Sequence, residues 1–459
     1  MSIDAQGLRD GPTARKRLWR LAGPIMIANL SVPLMGLVDT AVMGHLPDPA
    51  YVGAVAVGAV IFAYVFWGFG FLRMSTTGLA AQAGGRNDPL ETQAVYYRGI
   101  LLAIVLAASV IALQVPIAAL AFSLLEAEAP VEAMAKTYFT IRIWSAPAAL
   151  ASYVIIGWFL GQEDARTPLL LQVLTAGLNI VFSLTFVVGF GWGVEGVAGA
   201  TLLAEVSGAV LGAILVQRRL KRLADVSIDR SLIFDLVKIK ALIGVNGDIF
   251  IRTLCLVTSF AIFTAEGAKF GTVILAANAV LMHFMEFASY GMDGFAHAAE
   301  ALVGRAAGRR DRKEFQSAVK TALLWSGLLS LAIAIVYFLA GNTLIAFITT
   351  QEPIRSAAAD YLPWAAAMPV ISFWCFILDG VFLGATRSKA LRNAMLVSTG
   401  VYVVLVYGFV SGTDNHALWA ALVVFMGLRG LTLAAAYPAL LRSVGDASPR
   451  DQRLPGTTS

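Results

Sequence analysis

Long apolar runs alternate with short polar loops from one end of the chain to the other. The runs cover about 18–44, 52–81, 94–124, 134–160, 168–190 and 194–217, then 241–264, 271–302, 317–348, 356–385, 394–411 and 416–441. A helix needs roughly 20 apolar residues to cross the hydrocarbon of a bilayer, and these runs approach or exceed that length. None alternates with period two, which excludes a β-barrel, so the backbone must satisfy itself as helices. The pattern therefore predicts an all-α integral membrane protein with twelve transmembrane helices.

Composition agrees. Of 459 residues, 58% are hydrophobic and 14% charged, against about 25% charged in soluble domains. A mean hydropathy of +0.75 excludes an ordinary soluble enzyme, a disordered chain and a secreted disulfide scaffold. Cys255 and Cys375 both lie inside apolar runs, so no structural disulfide is expected. The net charge of +5 comes from loops rather than from a basic soluble face, and nucleic acid is not an expected partner. Of the 34 basic residues, 27 fall on the side of the N-terminus, and only Lys136, Lys269 and Arg355 fall in loops on the other. This bias predicts both termini in the cytoplasm. Arg15-Lys16-Arg17 leads straight into a long first span with no small-residue cleavage site, so the N-terminal tail is read as staying in place.

An internal repeat organises the chain. With an offset of 223, Ala83, Gly85, Arg86, Asp88, Glu91 and Gln93 fall on Ala306, Gly308, Arg309, Asp311, Glu314 and Gln316. That is six identities in twelve positions, where about one would arise at average residue frequencies. Gly157, Phe159, Leu160 and Gly161 likewise fall on Gly380, Phe382, Leu383 and Gly384, Pro130 on Pro353 and Tyr138 on Tyr361. Six spans per copy give both copies the same orientation, hence two pseudo-symmetric six-helix lobes related by an axis along the membrane normal. Parallel repeats of this kind build alternating-access transporters. The expected organisation is a tail at 1–17, an N-lobe at 18–217, a connector at 218–240, a C-lobe at 241–441 and a tail at 442–459.

Several motifs identify a resemblance. Pro33-x5-Asp39-Thr40 lies in span one, Gln82-x2-Gly85-x2-Asp88 after span two, and Gly161-Gln162-x2-Ala165-Arg166-x-Pro168 before span five, with Asn179 and Thr201 in spans five and six. In these the chain resembles the multidrug and toxic compound extrusion (MATE) family, most closely its DinF-like branch. The resemblance implies antiport-driven export of organic, cationic or amphipathic compounds from a bacterial inner membrane. No cofactor is implied; H⁺ is the expected coupling ion and Na⁺ the alternative. The expected partners are small-molecule substrates and lipid, with the chain acting as a monomer.

Asp39 is the sharpest candidate residue. It lies ~8 Å below the outer end of span one, where a carboxylate is costly and often marks a proton relay. Pro33 offers a hinge in the same helix. Asn179 and Ser183, four apart on span five, and Thr201 on span six fall at depths that could surround Asp39, or could serve as polar glue between helices. The family commonly carries a second acid where this chain has Ser183. Its loss weakens a sodium site, because hard cations prefer several oxygen ligands. Tyr138 and Arg142 on span four could support coupling, Arg142 as a counter-ion or as a structural group.

Span eight carries His283, Glu286, Asp293, His297 and Glu300 within an arc of about 100°. Such a face should meet a water-filled cavity or the other lobe, where the groups could bind a cationic substrate or relay protons. Spread over roughly 26 Å, they cannot share one metal ion. Asp379 and Arg252 are candidates to pair with this stripe. Tyr64, Phe66, Trp67 and Phe69 of span two and Met282, Met285, Phe287 and Met292 of span eight are candidate substrate contacts. Gly191-x-Gly193-x2-Gly196 lacks the preceding strand of a dinucleotide site, and no Walker loop is present. The alternative function is a flippase of lipid-linked or polysaccharide intermediates, which calls for a strongly basic cavity; a membrane-embedded enzyme would need a compact catalytic constellation, which the sequence lacks.

Overall fold

With no water in the bilayer core to bond exposed peptide groups, each apolar run closes its own hydrogen bonds as a helix. The computed structural model describes residues 11–44, 50–125, 128–223, 230–410 and 414–445, apart from the side chains of 11–13, 31–44 and 230. Among the described residues there is no strand. The first six spans are α1 (Gly11–Gly44), α2 (Ala50–Gly85), α3 (Pro89–Ala112), α4 (Ala129–Gly161), α5 (Arg166–Gly189) and α6 (Val194–Leu223). The second six are α7 (Leu236–Lys269), α8 (Thr272–Arg309), α9 (Arg312–Ile348), α10 (Glu352–Gly384), α11 (Ser388–Val410) and α12 (Asn415–Ser443). A short apolar helix, Gln114–Leu125, extends α3. The protein is thus an all-α, multi-pass membrane protein of twelve spans in two six-helix lobes.

The repeat is visible in the backbone. Four non-glycine residues adopt the left-handed conformation: Asn87, Glu163, Arg310 and Thr386, with φ between 54° and 58°. They form two pairs at the offset of 223, each in the tight turn after a helix that ends in the same motif. Asp88 and Asp311, also partners, cap α3 and α9 by accepting backbone N–H bonds from Glu91 and from Lys313 and Glu314. π-helical turns close α5 at Leu184–Gly189 and α11 at Val406–Val410.

The lobes meet where α2 crosses α8. A Cβ on Gly85 would strike the carbonyl oxygen of Arg305, and one on Gly308 would strike that of Gln82. Because Gln82 and Arg305 are themselves repeat partners, the contact is two-fold symmetric. Within each lobe the same device joins α2 to α4 and α8 to α10: Gly157 lies on Arg73 O and Gly380 on Ala296 O. Apolar association adds nothing between helices in lipid, so close backbone packing at small residues has to hold them. The symmetry fails at one place. Helix α2 is interrupted by a turn at Gly68–Gly70, where two glycines lower helix stability, whereas α8 runs unbroken through the equivalent positions.

The face that carries the N-terminus is laced by charge. Arg17 at the start of α1 reaches Glu163 and Glu314, both at 2.7 Å, and Lys238 at the start of α7 reaches Glu91 at 2.5 Å. Glu91 and Glu314 are repeat partners, so each lobe sends one cation across to the same acid of the other. Burial works against the charge of Arg17, but the two carboxylates outweigh it and hold the guanidinium above its usual range.

Glycine positions give a paired test. Gly85→Val should lower stability by about 1–3 kcal/mol through overpacking against Arg305. Gly199→Ala, whose Cβ would meet nothing within 4 Å, should be neutral or stabilising by up to about 1 kcal/mol. Thermal unfolding of both variants in detergent reads the difference.

Candidate functional site

A cavity of about 730 Å³ lies between the lobes, within the size range of small-molecule sites. It follows α8 from Leu275 to Glu300, a rise of ~38 Å, and ends where the glycines bring α2, α8 and α10 together. The break in α2 turns Trp67, Gly70, Arg73 and Met74 into this space, and α4 contributes Tyr153.

All five ionisable groups of α8 line it, at different depths. His283 and Glu286 are exposed near the wide end, 3.4 Å apart, with Tyr290 donating to Glu286 at 3.0 Å. The floor is different. Arg73 of α2 lies 2.9 Å from His297 Nε2 and 3.6 Å from Glu300. Arginine can only donate, so Nε2 is the acceptor and the proton of a neutral His297 sits on Nδ1. Glu300 is fully buried, and neither of its carboxylate oxygens has a hydrogen-bond partner among the described residues. Beside this group, Asp379 of α10 is gripped by two arginines, Arg252 of α7 and Arg429 of α12 at 2.8 Å, which share its Oδ2. Asp293 lines the cavity between the floor and the mouth.

The apolar wall consists of Trp67, Phe260, Phe263, Met282, Met285 and Met426. Some sequence candidates fall elsewhere. Tyr64 and Phe287 are exposed on the outer surface, Met292 is buried in the C-lobe core, and Phe66 lines a smaller pocket within the N-lobe.

In the N-lobe, Asn179, Ser183 and Thr201 are all buried, and Asn179 Nδ2 donates to Thr201 Oγ1 at 3.0 Å. No donor among the described residues reaches Asn179 Oδ1. Tyr138 and Arg142 are bonded at 2.9 Å, Arg142 stacks on the Phe62 ring at 4.8 Å, and it lies 3.5 Å from Glu205 of α6. Asp39 and Pro33 sit on α1, and their side chains lie outside the described residues.

Sequence reasoning missed the partners. It singled out neither Arg73 nor Glu205, although an acid eleven residues into an apolar span is a signal in itself. Asp379 and Arg252 were expected to pair with the stripe of α8; they pair with each other, and Arg429 joins them.

The MatE family model matches residues 24–185 and 249–408, one stretch in each half. The chain belongs to this family. It is 41% identical to DNA damage-inducible protein F of Escherichia coli over 92% of its length and 91% of the relative's. A probable multidrug resistance protein NorM of Bacillus cereus is 24% identical over 90% of this chain and 92% of its own. Among solved structures, the MATE transporter VcmN of Vibrio cholerae superposes with a TM-score of 0.82 at 22% identity, covering 95% of this chain and 98% of that one. The protein is therefore a MATE transporter of the DinF-like branch rather than an enzyme.

The arginine pair on Asp379 has a measurable consequence. Asp379→Asn would strand two buried cations and should cost about 3–5 kcal/mol. Glu286→Gln, at an exposed position, should stay within about 0.5 kcal/mol of the parent protein. The two melting temperatures in detergent would separate these effects.

Proposed function

We propose that this chain is a proton-driven exporter of organic, cationic or amphipathic compounds that works by alternating access. The observation that carries the reading is the cavity between the two lobes, shut at the N-terminal face and walled by aromatic rings, methionines and acids. Rings attract organic cations, and methionines adapt to cargo of varied shape. Glu286 and Asp293 add negative charge to the same space. Each arginine of the cavity faces an acid: Arg73 faces Glu300, and Arg252 and Arg429 face Asp379. The wall is therefore not the basic surface that a phosphate-bearing lipid intermediate calls for. The relative named a multidrug resistance protein supports the same cargo class.

In this reading the bias of basic residues puts the N-terminal face in the cytoplasm, so the cavity opens outward. Asp39 takes up a proton from outside, α1 bends at Pro33, and the N-lobe polar group of Asn179, Ser183 and Thr201 repacks to expel cargo. Asn179 Oδ1, buried without a described donor, is an acceptor that a protonated carboxyl could satisfy. Ser183 gives no second charge to a sodium ion, which supports H⁺ as the coupling ion.

Ethidium movement in everted vesicles tests the proposal. Transport should stop when a protonophore is added and should persist when sodium is removed. In proteoliposomes, Asp39→Asn should abolish ethidium-coupled proton flux. Sodium-dependent, protonophore-resistant transport, or full flux in Asp39→Asn, would refute it.

A further inference from the structure

Glu300 occupies a position that the fold does not require to be acidic. Its repeat partner is Thr77, whose hydroxyl donates to Arg73 O on its own helix. The backbone contacts around the two are equivalent: Gly384 lies on Glu300 O as Gly161 lies on Thr77 O. The partners of Arg73 and His297 are Ala296 and Met74. An acid, an arginine and a histidine have thus been added to a symmetric packing layer, at the point where the cavity ends and the two lobes touch.

As a carboxylate, Glu300 is poorly kept. It is fully buried, and among the described residues neither oxygen accepts a hydrogen bond and one arginine lies within 4 Å, at 3.6 Å. A buried charge so placed is costly, and taking up a proton removes the cost. The other groups that face it are Tyr153 from α4, Arg252 from α7, Asp293 and His297 from its own helix, Asp379 from α10 and Arg429 from α12. Arg252 and Arg429 are already committed to Asp379. On its remaining sides α1 and α9 pack on α8 through Trp19 and Met26 from one and Leu329 from the other; nearer the N-terminal face they bring Arg17 and Glu314, paired with each other, beside Leu302.

We propose that Glu300 is a proton-binding site at the lobe interface, and that its ionisation sets how strongly Arg73 ties α2 to α8 at the cavity floor. A proton arriving through the cavity bonds to one carboxylate oxygen and leaves by the same oxygen. With Glu300 charged, Arg73 bridges the lobes by an ion pair. With Glu300 neutral, Arg73 loses that ion pair and keeps its bond to the neutral acceptor of His297, and the lobes are freer to part. The role in transport rests on the exporter reading; the proton site itself does not.

Infrared difference spectra of the purified protein, titrated in the carbonyl stretch of protonated carboxyl groups, read the site directly. A titrating band should be lost in Glu300→Gln, kept in Asp39→Asn, and carried to a pH about one to three units higher in Arg73→Gln, which removes the cation. Hydrogen–deuterium exchange over residues 71–85 and 294–309, corrected for intrinsic rate, should rise on acidification in the parent protein. In Glu300→Gln it should already be high at the alkaline end of the titration. A band unchanged in Glu300→Gln or unmoved in Arg73→Gln, or exchange identical in parent and Glu300→Gln, would overturn the proposal. Both signatures intact with no ethidium transport would count against the exporter reading and leave the proton site standing.

Discussion

Two helices that touch backbone to backbone at one end must diverge at the other, and that constraint shapes this molecule. Gly85 and Gly308 set the meeting of α2 with α8 on the pseudo-two-fold axis, with each glycine against a carbonyl of the opposite helix. No side chain fits there. Moving away from this crossing, the separation grows and larger residues enter: first Arg73, His297 and Glu300, then the rings and methionines of the wide cavity. The site is the space the crossing leaves, and its depth and its closed end follow from the same contact.

Two kinds of charge contact lie on either side of that crossing, and they differ in what they can do. At the N-terminal face, Arg17 reaches Glu163 and Glu314, and Lys238 reaches Glu91, the repeat partner of Glu314. Each of these acids has a cation within 2.7 Å, so its charge is matched. At the floor of the cavity the groups are buried, and the cost of an unmatched charge is high. Small changes in protonation therefore weigh more at the floor than any single pair does at the face.

Much of the architecture was legible in the sequence, because it is written in local signals. Run length gave the spans, and the offset of 223 gave the two lobes, down to the paired turns at Asn87 and Arg310. What the sequence withheld was partnership. A helical wheel places Asp293, His297 and Glu300 on one face of α8, but nothing local says that Arg73, more than two hundred residues away, completes the group. The interruption at Gly68–Gly70 escaped notice because hydropathy hardly changes across it, yet it turns Trp67 and Arg73 into the cavity. Tyr64 and Phe287 were misjudged for a related reason: aromatic residues on a membrane helix suit lipid as well as they suit a cavity.

Comparing the lobes position by position separates scaffold from chemistry. Glycines, left-handed turns and caps recur at the offset, whereas the candidate site residues, Tyr138 aside, do not. Arg252, Asp379 and Arg429 face Asn29, Ile156 and Val206 in the repeat; Asp39, Arg142, Asn179, Thr201 and Glu205 face Ile262, Ala365, Tyr402, Val424 and Leu428. Since the partner lobe folds the same way without them, these polar groups are not what makes either lobe fold. Burying them costs stability, which their bonds to one another offset in part, as between Asp379 and its two arginines and between Asn179 and Thr201. One backbone plan used twice supplies the symmetric contact between the lobes, and two unrelated sets of polar residues tell the lobes apart.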